Sequence, residues 1–294
     1  MARIIAICNQ KGGTGKTTTA INLSTAIALA GKRALLVDVD PQANATSGAG
    51  LDKNRVAQST YEVLIDSLPI SHILVRNPED KLWVAPSNSH LAGAEIELVA
   101  VLSREYRLKK ALEAVSCEFD FIFIDCPPSL GLLTLNALTA ADSVIIPVQC
   151  EYYALEGLTQ LLNTISLVHD NLNSKLQLEG VLLTMADYRT NLTQEVITEV
   201  RNHFKAKVYQ TVIPRNIRLS EAPSYGKSIF NYDKDSIGAK KYLELAYEIL
   251  GDKNAQPTGI NRVTESRLNV QFNVQNSGNI PNRLIESEQK EGVA

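Results

Sequence analysis

Residues 9–18 read Asn-Gln-Lys-Gly-Gly-Thr-Gly-Lys-Thr-Thr, directly behind the apolar run Ile4, Ile5, Ala6, Ile7 and directly ahead of a helix-like run. Glycines at 12, 13 and 15 let the backbone turn tightly, so successive N–H groups converge on phosphate oxygens and the next helix adds its positive N-terminal end. Gly12, Gly13, Thr14, Gly15, Lys16, Thr17 and Thr18 are therefore the candidate phosphate-binding residues. Lys16 supplies a full charge, and the Thr17 hydroxyl is positioned to bind Mg²⁺. The common form of such a loop has glycine where this chain has Gln10, and a second lysine, Lys11, stands at the mouth instead. Lys11 lies ahead of the turn, so its side chain is free to reach toward a nucleotide held by another subunit. The competing account, a glycine-rich turn with two solvated lysines, does not explain the strand before it and the helix after it.

At 294 residues and 45% hydrophobic content, the chain is long enough to bury a substantial core as one large α/β domain or two small ones. No apolar run approaches the length of about 18 residues that spans a bilayer. The loop begins too early to leave room for a signal peptide, which predicts a cytoplasmic protein. Cysteines 8, 117, 126 and 150 form no C-x-x-C and no short metal-ligand spacing, so reduced thiols are expected rather than a zinc or iron–sulfur site. With 29 basic and 32 acidic residues the net charge is −3, so any nucleic-acid binding has to come from a local patch.

The periodicity predicts a helix over 16–30 capped by Gly31, then a strand over 34–39 that runs into Asp38-Val-Asp-Pro-Gln42. Two carboxylates thus sit at a strand's C-terminal end, where doubly wound sheets carry their sites. Residues 43–60, small and polar, read as a mobile connection. A strand over 82–85 and a helix over 92–115 follow, the latter from Ile96, Val99, Leu102, Tyr106 and Leu112 at helical spacing. The run 119–124, apolar but for Asp120, reads as a buried parallel strand delivering Asp125 into a Pro-Pro turn, the expected acid partner of a phosphate-bound Mg²⁺. Strands over 143–148, 178–185 and 208–213 then alternate with helices over 152–172, 192–204 and 235–250. The fold class is α/β: a mostly parallel, doubly wound sheet with helices on both faces, one domain over 1–250. Residues 251–294 turn polar and read as a disordered tail.

The loop from Lys11 to Thr18, Val37-Asp-Val-Asp-Pro-Gln42, Ile124-Asp-Cys-Pro-Pro-Ser129, Thr211-Val-Ile-Pro-Arg-Asn-Ile-Arg218 and Leu219-Ser-Glu-Ala-Pro-Ser224 closely resemble the ParA/Soj family of chromosome-partitioning ATPases. That family lies within the deviant Walker-A group that also holds MinD. The resemblance covers residues 1 to about 250 and implies ATP/ADP and Mg²⁺ as cofactors, with slow, partner-stimulated hydrolysis. It implies that Lys16 binds phosphates and Thr17 the Mg²⁺, that Asp40 orients the attacking water, that Asp38 supports metal and first switch, and that Asp125 binds Mg²⁺ through water. By the same resemblance Lys11 corresponds to the lysine that crosses the interface of an ATP sandwich homodimer in that family, and Pro214 and Asn216 fall where relatives hold adenine.

Between residues 201 and 241 nine basic residues stand against three acids. Arg189, Arg218 and Lys227 align with positions that bind DNA in relatives, with Arg215 and Lys241 added from the same comparison. No base-reading helix is evident, so the expectation is non-specific, salt-sensitive binding of double-stranded DNA, a nucleoid-associated protein and a ParB-type partner. A MinD-like membrane-surface ATPase needs a terminal basic amphipathic helix, which the tail does not display. A metallocluster carrier of the same fold needs paired cysteines, and a purely DNA-compacting component needs no nucleotide control.

Overall fold

The computed structural model describes residues 1–151 and 157–251. The expected tail over 251–294 lies outside the described residues beyond Gly251, as does the start of the helix expected over 152–172. Seven strands form one sheet: β1 (Arg3–Ile7), β2 (Ala34–Asp38), β3 (Val75–Asn77), β4 (Leu82–Ala85), β5 (Phe121–Asp125), β6 (Ser143–Gln149) and β7 (Gln177–Thr184), in the order β3-β4-β2-β5-β1-β6-β7. All pairings are parallel except β3 with β4, so the sheet is mostly parallel as expected. β2 and β5 are buried along their whole length, as their four-residue apolar runs require of central strands, and each closes on a buried aspartate.

The helices are α1 (Lys16–Leu29), α2 (Asn44–Gly48), α3 (Thr60–Ile65), α4 (Leu91–Glu97), α5 (Arg107–Glu113), α6 (Leu132–Ala140), α7 (Leu158–Asn171), α8 (Asn191–Phe204), α9 (Ile217–Glu221), α10 (Ile229–Tyr232) and α11 (Ile237–Leu250). α1 is buried over most of its length, packed between the sheet and α11. The core on that face joins Ile5, Ile7, Leu23, Ile27, Leu36 and Phe123 to Tyr242, Leu245 and Ile249 of α11.

Three expectations need correction. The helix predicted over 92–115 is broken into α4, two 3₁₀ turns and α5, with Ser103 in the left-handed region at φ 52°. The apolar face that is buried is Leu91, Ala94 and Leu98, whereas Ile96, Val99 and Leu102 are 78%, 61% and 91% exposed. Both faces of this stretch are apolar, so periodicity alone selects the wrong one.

The strand predicted over 208–213 is not a ladder strand. It follows the edge of β7 through Tyr209 N to Val181 O (3.0 Å) and Ile213 N to Leu183 O (2.9 Å). The amides of Gln210 and Thr211 between them turn to the Glu248 carboxylate at 2.7 and 3.1 Å. Pro214, which has no N–H, follows. Residues 43–60, finally, are not a loose connection: α2 starts at residue 44, its Ala45, Thr46 and Gly48 are buried, and α3 begins at Thr60 under a capping box from Ser59 and Glu62.

Candidate active site

The C-terminal ends of β1, β2 and β5 lie side by side in register, Ile7 opposite Asp125 and Asp125 opposite Asp38. Strand pairing therefore gathers the glycine-rich loop, the Asp38–Asp40 pair and Asp125 at one edge, beside the point where the chain switches sides of the sheet. Gly13 and Gly15 take φ of 74° and 85°, and a Cβ at Gly12 or Gly13 would meet nothing within 4 Å, so the concave side of the loop is open. Gly15 caps α1 with backbone alone, leaving the first amides of the helix without a side-chain partner.

Lys16 is buried, and its Nζ donates to the Lys11 carbonyl at 3.1 Å. Desolvation lowers its pKa, with the charges of Asp125 and neighbours opposing. Thr17 Oγ1 donates to Asp125 Oδ2 at 2.8 Å, while Asp125 Oδ1 is buried with no hydrogen-bond partner. Burial first, and then the charge of Asp38, push the Asp125 carboxyl well above the usual range. An orphaned carboxylate oxygen beside a threonine hydroxyl, in a pocket short of positive charge, is a donor set that fits hydrated Mg²⁺.

Asp38 is wholly buried. Its Oδ1 accepts from Asp40 N at 3.0 Å and its Oδ2 from both the amide and the hydroxyl of Thr46 at 2.8 and 2.7 Å. Burial raises its pKa to about 6, with the Thr46 bonds pulling the other way. Asp40, 6% exposed, receives Gln42 N on its carboxylate and Ser87 Oγ on its carbonyl. Ala43 then adopts φ 52°, a left-handed turn that starts α2. Lys11 is half-buried at the mouth of the loop.

Two residues that support the loop carry no local signal in the sequence. Asn9 accepts Lys11 N (3.0 Å) and donates to Pro147 O (2.6 Å), and Thr184 Oγ1, at the end of β7, donates to Thr14 O (2.9 Å). Thr184 was findable only by the rule that sites collect at the C-terminal edge of such sheets. Beside the loop a cavity of about 360 Å³ is lined by Gly15, Thr18, Thr184, Pro214, Asn216 and Tyr242, so the two candidate adenine residues do lie next to the phosphate loop.

The candidate DNA residues fall in two neighbouring groups. Arg189 sits in the β7–α8 connection, clasped by Asp187, whose carboxyl it holds down to about 2, with Arg215 adding to the effect. The Arg215 amide bonds Ala186 O at 3.0 Å, and Lys241 contributes charge at Tyr188 in the same connection. Arg218 pairs with Glu221 (3.0 Å) and Asp233 (3.4 Å), and the exposed Lys227 lies just past the Pro223–Gly226 turn. Arg215 and Lys241 also face carboxylates, Glu151 and Glu244. The four cysteines are free, three of them buried and Cys117 exposed. Among the described residues no helix is long and apolar enough to cross a membrane.

A family model described as an AAA domain matches residues 2–178. The sporulation initiation inhibitor protein Soj of Bacillus subtilis is 62% identical over 249 residues, 85% of this chain and 98% of the relative. The chromosome partitioning protein ParA of Myxococcus xanthus is 54% identical over 250 residues, 85% and 88% of the two chains. Among solved structures, a Mycobacterium smegmatis protein described as cobyrinic acid a,c-diamide synthase, with bound ATP analogue and magnesium, superimposes with a TM-score of 0.76 at 40% identity, covering 85% of this chain and 95% of that one.

Proposed function

This chain belongs to the Soj/ParA family of chromosome-partitioning ATPases, and from that premise we propose that it is a Mg²⁺-dependent ATPase whose ATP-bound form pairs with a second copy and holds DNA without sequence preference. The observation that carries the reading is the convergence of Lys16, Thr17, Asp38, Asp40 and Asp125 on one strand edge around an open amide-lined loop.

In that site the loop amides and Lys16 hold the β- and γ-phosphates, and Pro214 and Asn216 border the base. Thr17 and Asp125 would hold Mg²⁺, which would supply neutralisation of the charge developing on the phosphates. Asp40 orients the attacking water and takes up its proton, its backbone fixed by Ser87 and its turn by Asp38. Asp38 supports this arrangement through Thr46. Lys11 reaches the phosphates of the facing copy, supplying in trans the cation that phosphoryl transfer exploits. Nucleotide occupancy and pairing are then one equilibrium. Pairing doubles the set of Arg189, Arg215, Arg218, Lys227 and Lys241 presented to a duplex, so two weak patches act together. A ParB-type partner stimulates hydrolysis and releases the protein from the nucleoid, and slow basal turnover keeps it bound long enough to mark position.

Gel filtration and duplex-DNA binding of the wild type and Asp40→Ala, with no nucleotide, ADP or ATP, test this. The expected result is an ATP-dependent dimer that binds DNA, with Asp40→Ala trapped in that state. Monomers under all three conditions, or equal DNA binding in all three, overturn it. A parallel liposome sedimentation arm separates DNA binding from a membrane-surface role.

A further inference from the structure

Asp80, in the turn between β3 and β4, is 1% exposed and takes no part in the site above. No Lys or Arg among the described residues pairs with it, and burial raises its pKa. Its carboxylate is spent on three neutral donors. Oδ1 accepts Ser228 Oγ (2.5 Å) and Asn231 Nδ2 (2.6 Å), and Oδ2 accepts Asn77 Nδ2 (3.1 Å). The same Asn77 amide donates to the carbonyl of Ala49 at 3.0 Å, the residue that closes α2. Asn77 and Asp80 therefore tie the end of α2 to the segment around residue 228.

That tie runs beside a second one made of backbone. Gly50 and Gly226 adopt φ of 87° and 62°, and a Cβ on Gly50 would lie 2.9 Å from Gly226 O, while one on Gly226 would lie 3.1 Å from Gly50 Cα. Neither position has room for a side chain. On the nucleotide side, α2 is fastened to Asp38 by both Thr46 bonds, and Thr46 Oγ1 accepts Ser87 N while Ser87 Oγ holds the Asp40 carbonyl. On the other side, Arg218 and Lys227 flank the Pro223–Gly226 turn. Contacts without a gap thus join the Asp38–Asp40 turn to the segment that bears two of the candidate DNA residues.

We propose that Asn77 and Asp80, with the Gly50–Gly226 contact, are positioning residues that pass the nucleotide state from the Asp38–Asp40 turn to the Arg218–Lys227 segment, setting its geometry for a polyanion. The proposal deepens the DNA-binding reading and rests on it for the ligand, not for the coupling itself. Replacing Asp80 by Asn turns an acceptor-only group into one that faces its donors with an NH₂, while leaving size and the nucleotide site intact.

The test is hydrogen exchange on the full chain, wild type and Asp80→Asn, with ADP and with ATP, alongside duplex-DNA affinity. In the wild type, ATP is expected to change exchange in both 44–50 and 217–229. In Asp80→Asn the change at 44–50 persists, that at 217–229 is lost, and the ratio of DNA affinities in ATP and ADP falls about tenfold while ATP-dependent pairing stays. Asn77→Ala, which removes the bonds to Ala49 O and Asp80 Oδ2 but leaves Ser228 and Asn231 on Asp80 Oδ1, gives the same reading should Asp80→Asn melt below the assay temperature. Persistence of the 217–229 change in folded variants, or its absence from the wild type, overturns the proposal. Coupled exchange in a wild type that binds no DNA in either nucleotide leaves the joint standing and removes the DNA reading instead.

Discussion

Lys11 contributes only its backbone to the loop's internal bonding, its carbonyl accepting Lys16 Nζ and its amide bound to Asn9. Its side chain is thus available for the trans role, and its removal leaves the cradle built by Lys16 and Thr17. Lys11→Ala is expected to bind ATP within a few-fold of wild type, to form no ATP-dependent dimer, and to lose turnover by about 10³ or more, as for other cations supplied in trans. Analytical ultracentrifugation with single-turnover hydrolysis checks this, and a normal dimer refutes the assignment. Arg189 is clasped by Asp187 while 85% of its side chain is exposed, so a phosphate has to displace that carboxylate. Asp187→Asn is expected to strengthen ATP-dependent retention on duplex by roughly two- to fivefold at low salt, the modest scale of an exposed ion pair. Residues of this site were readable where their chemistry is local: glycines, Lys16 and Thr17 announce themselves in one short stretch. Thr184 and Asn9 were not, because the contacts that tie them across the sheet, to Thr14 and Pro147, lie 170 and 138 residues away and neither type is unusual at a strand end.

Elements were legible where an apolar run is short and bounded. The expected ranges of β2, β4 and β5 end within two residues of the observed ones, since Gly31, Pro86 and the Pro127–Pro128 turn punctuate them. Stretches with two usable apolar faces were not, as α4 shows, nor was the Glu248 contact that peels the segment after residue 208 away from β7. The close approach there has a cost for substitution. A Cβ on Gly180 of β7 would sit 2.6 Å from the Tyr209 ring and 3.1 Å from Lys207 O. Gly180→Val is therefore expected to lower stability by about 1–3 kcal/mol, read by thermal or urea unfolding, from overpacking against backbone that cannot yield. In the core cluster that also holds Tyr209, Tyr242 of α11 shares a 3.1 Å hydrogen bond with Thr19 of α1, both wholly or almost wholly buried. Tyr242→Phe leaves the threonine hydroxyl without that partner, and about 1 kcal/mol of destabilisation is expected in the same assay.

For the molecule as a whole, an acidic sequence with nine basic residues against three acids between 201 and 241 makes the proposed DNA binding depend steeply on salt. If a pair of copies engages one duplex symmetrically, deleting one arginine removes two phosphate contacts. Arg218→Ala is then expected to flatten the slope of log affinity against log salt by about 1.8, twice the value of roughly 0.9 for a single contact. Fluorescence anisotropy titrations across a potassium chloride series measure it, and a change near 0.9 means that only one copy of each pair touches DNA.

Where β7 meets solvent, Glu248 claims the amides of Gln210 and Thr211 and Pro214 has none to give. That rim offers no template on which a neighbour's strand can zip. For copies gathered along a duplex, as proposed above, a border blunted in this way favours molecules that separate again over ones that pair edge to edge.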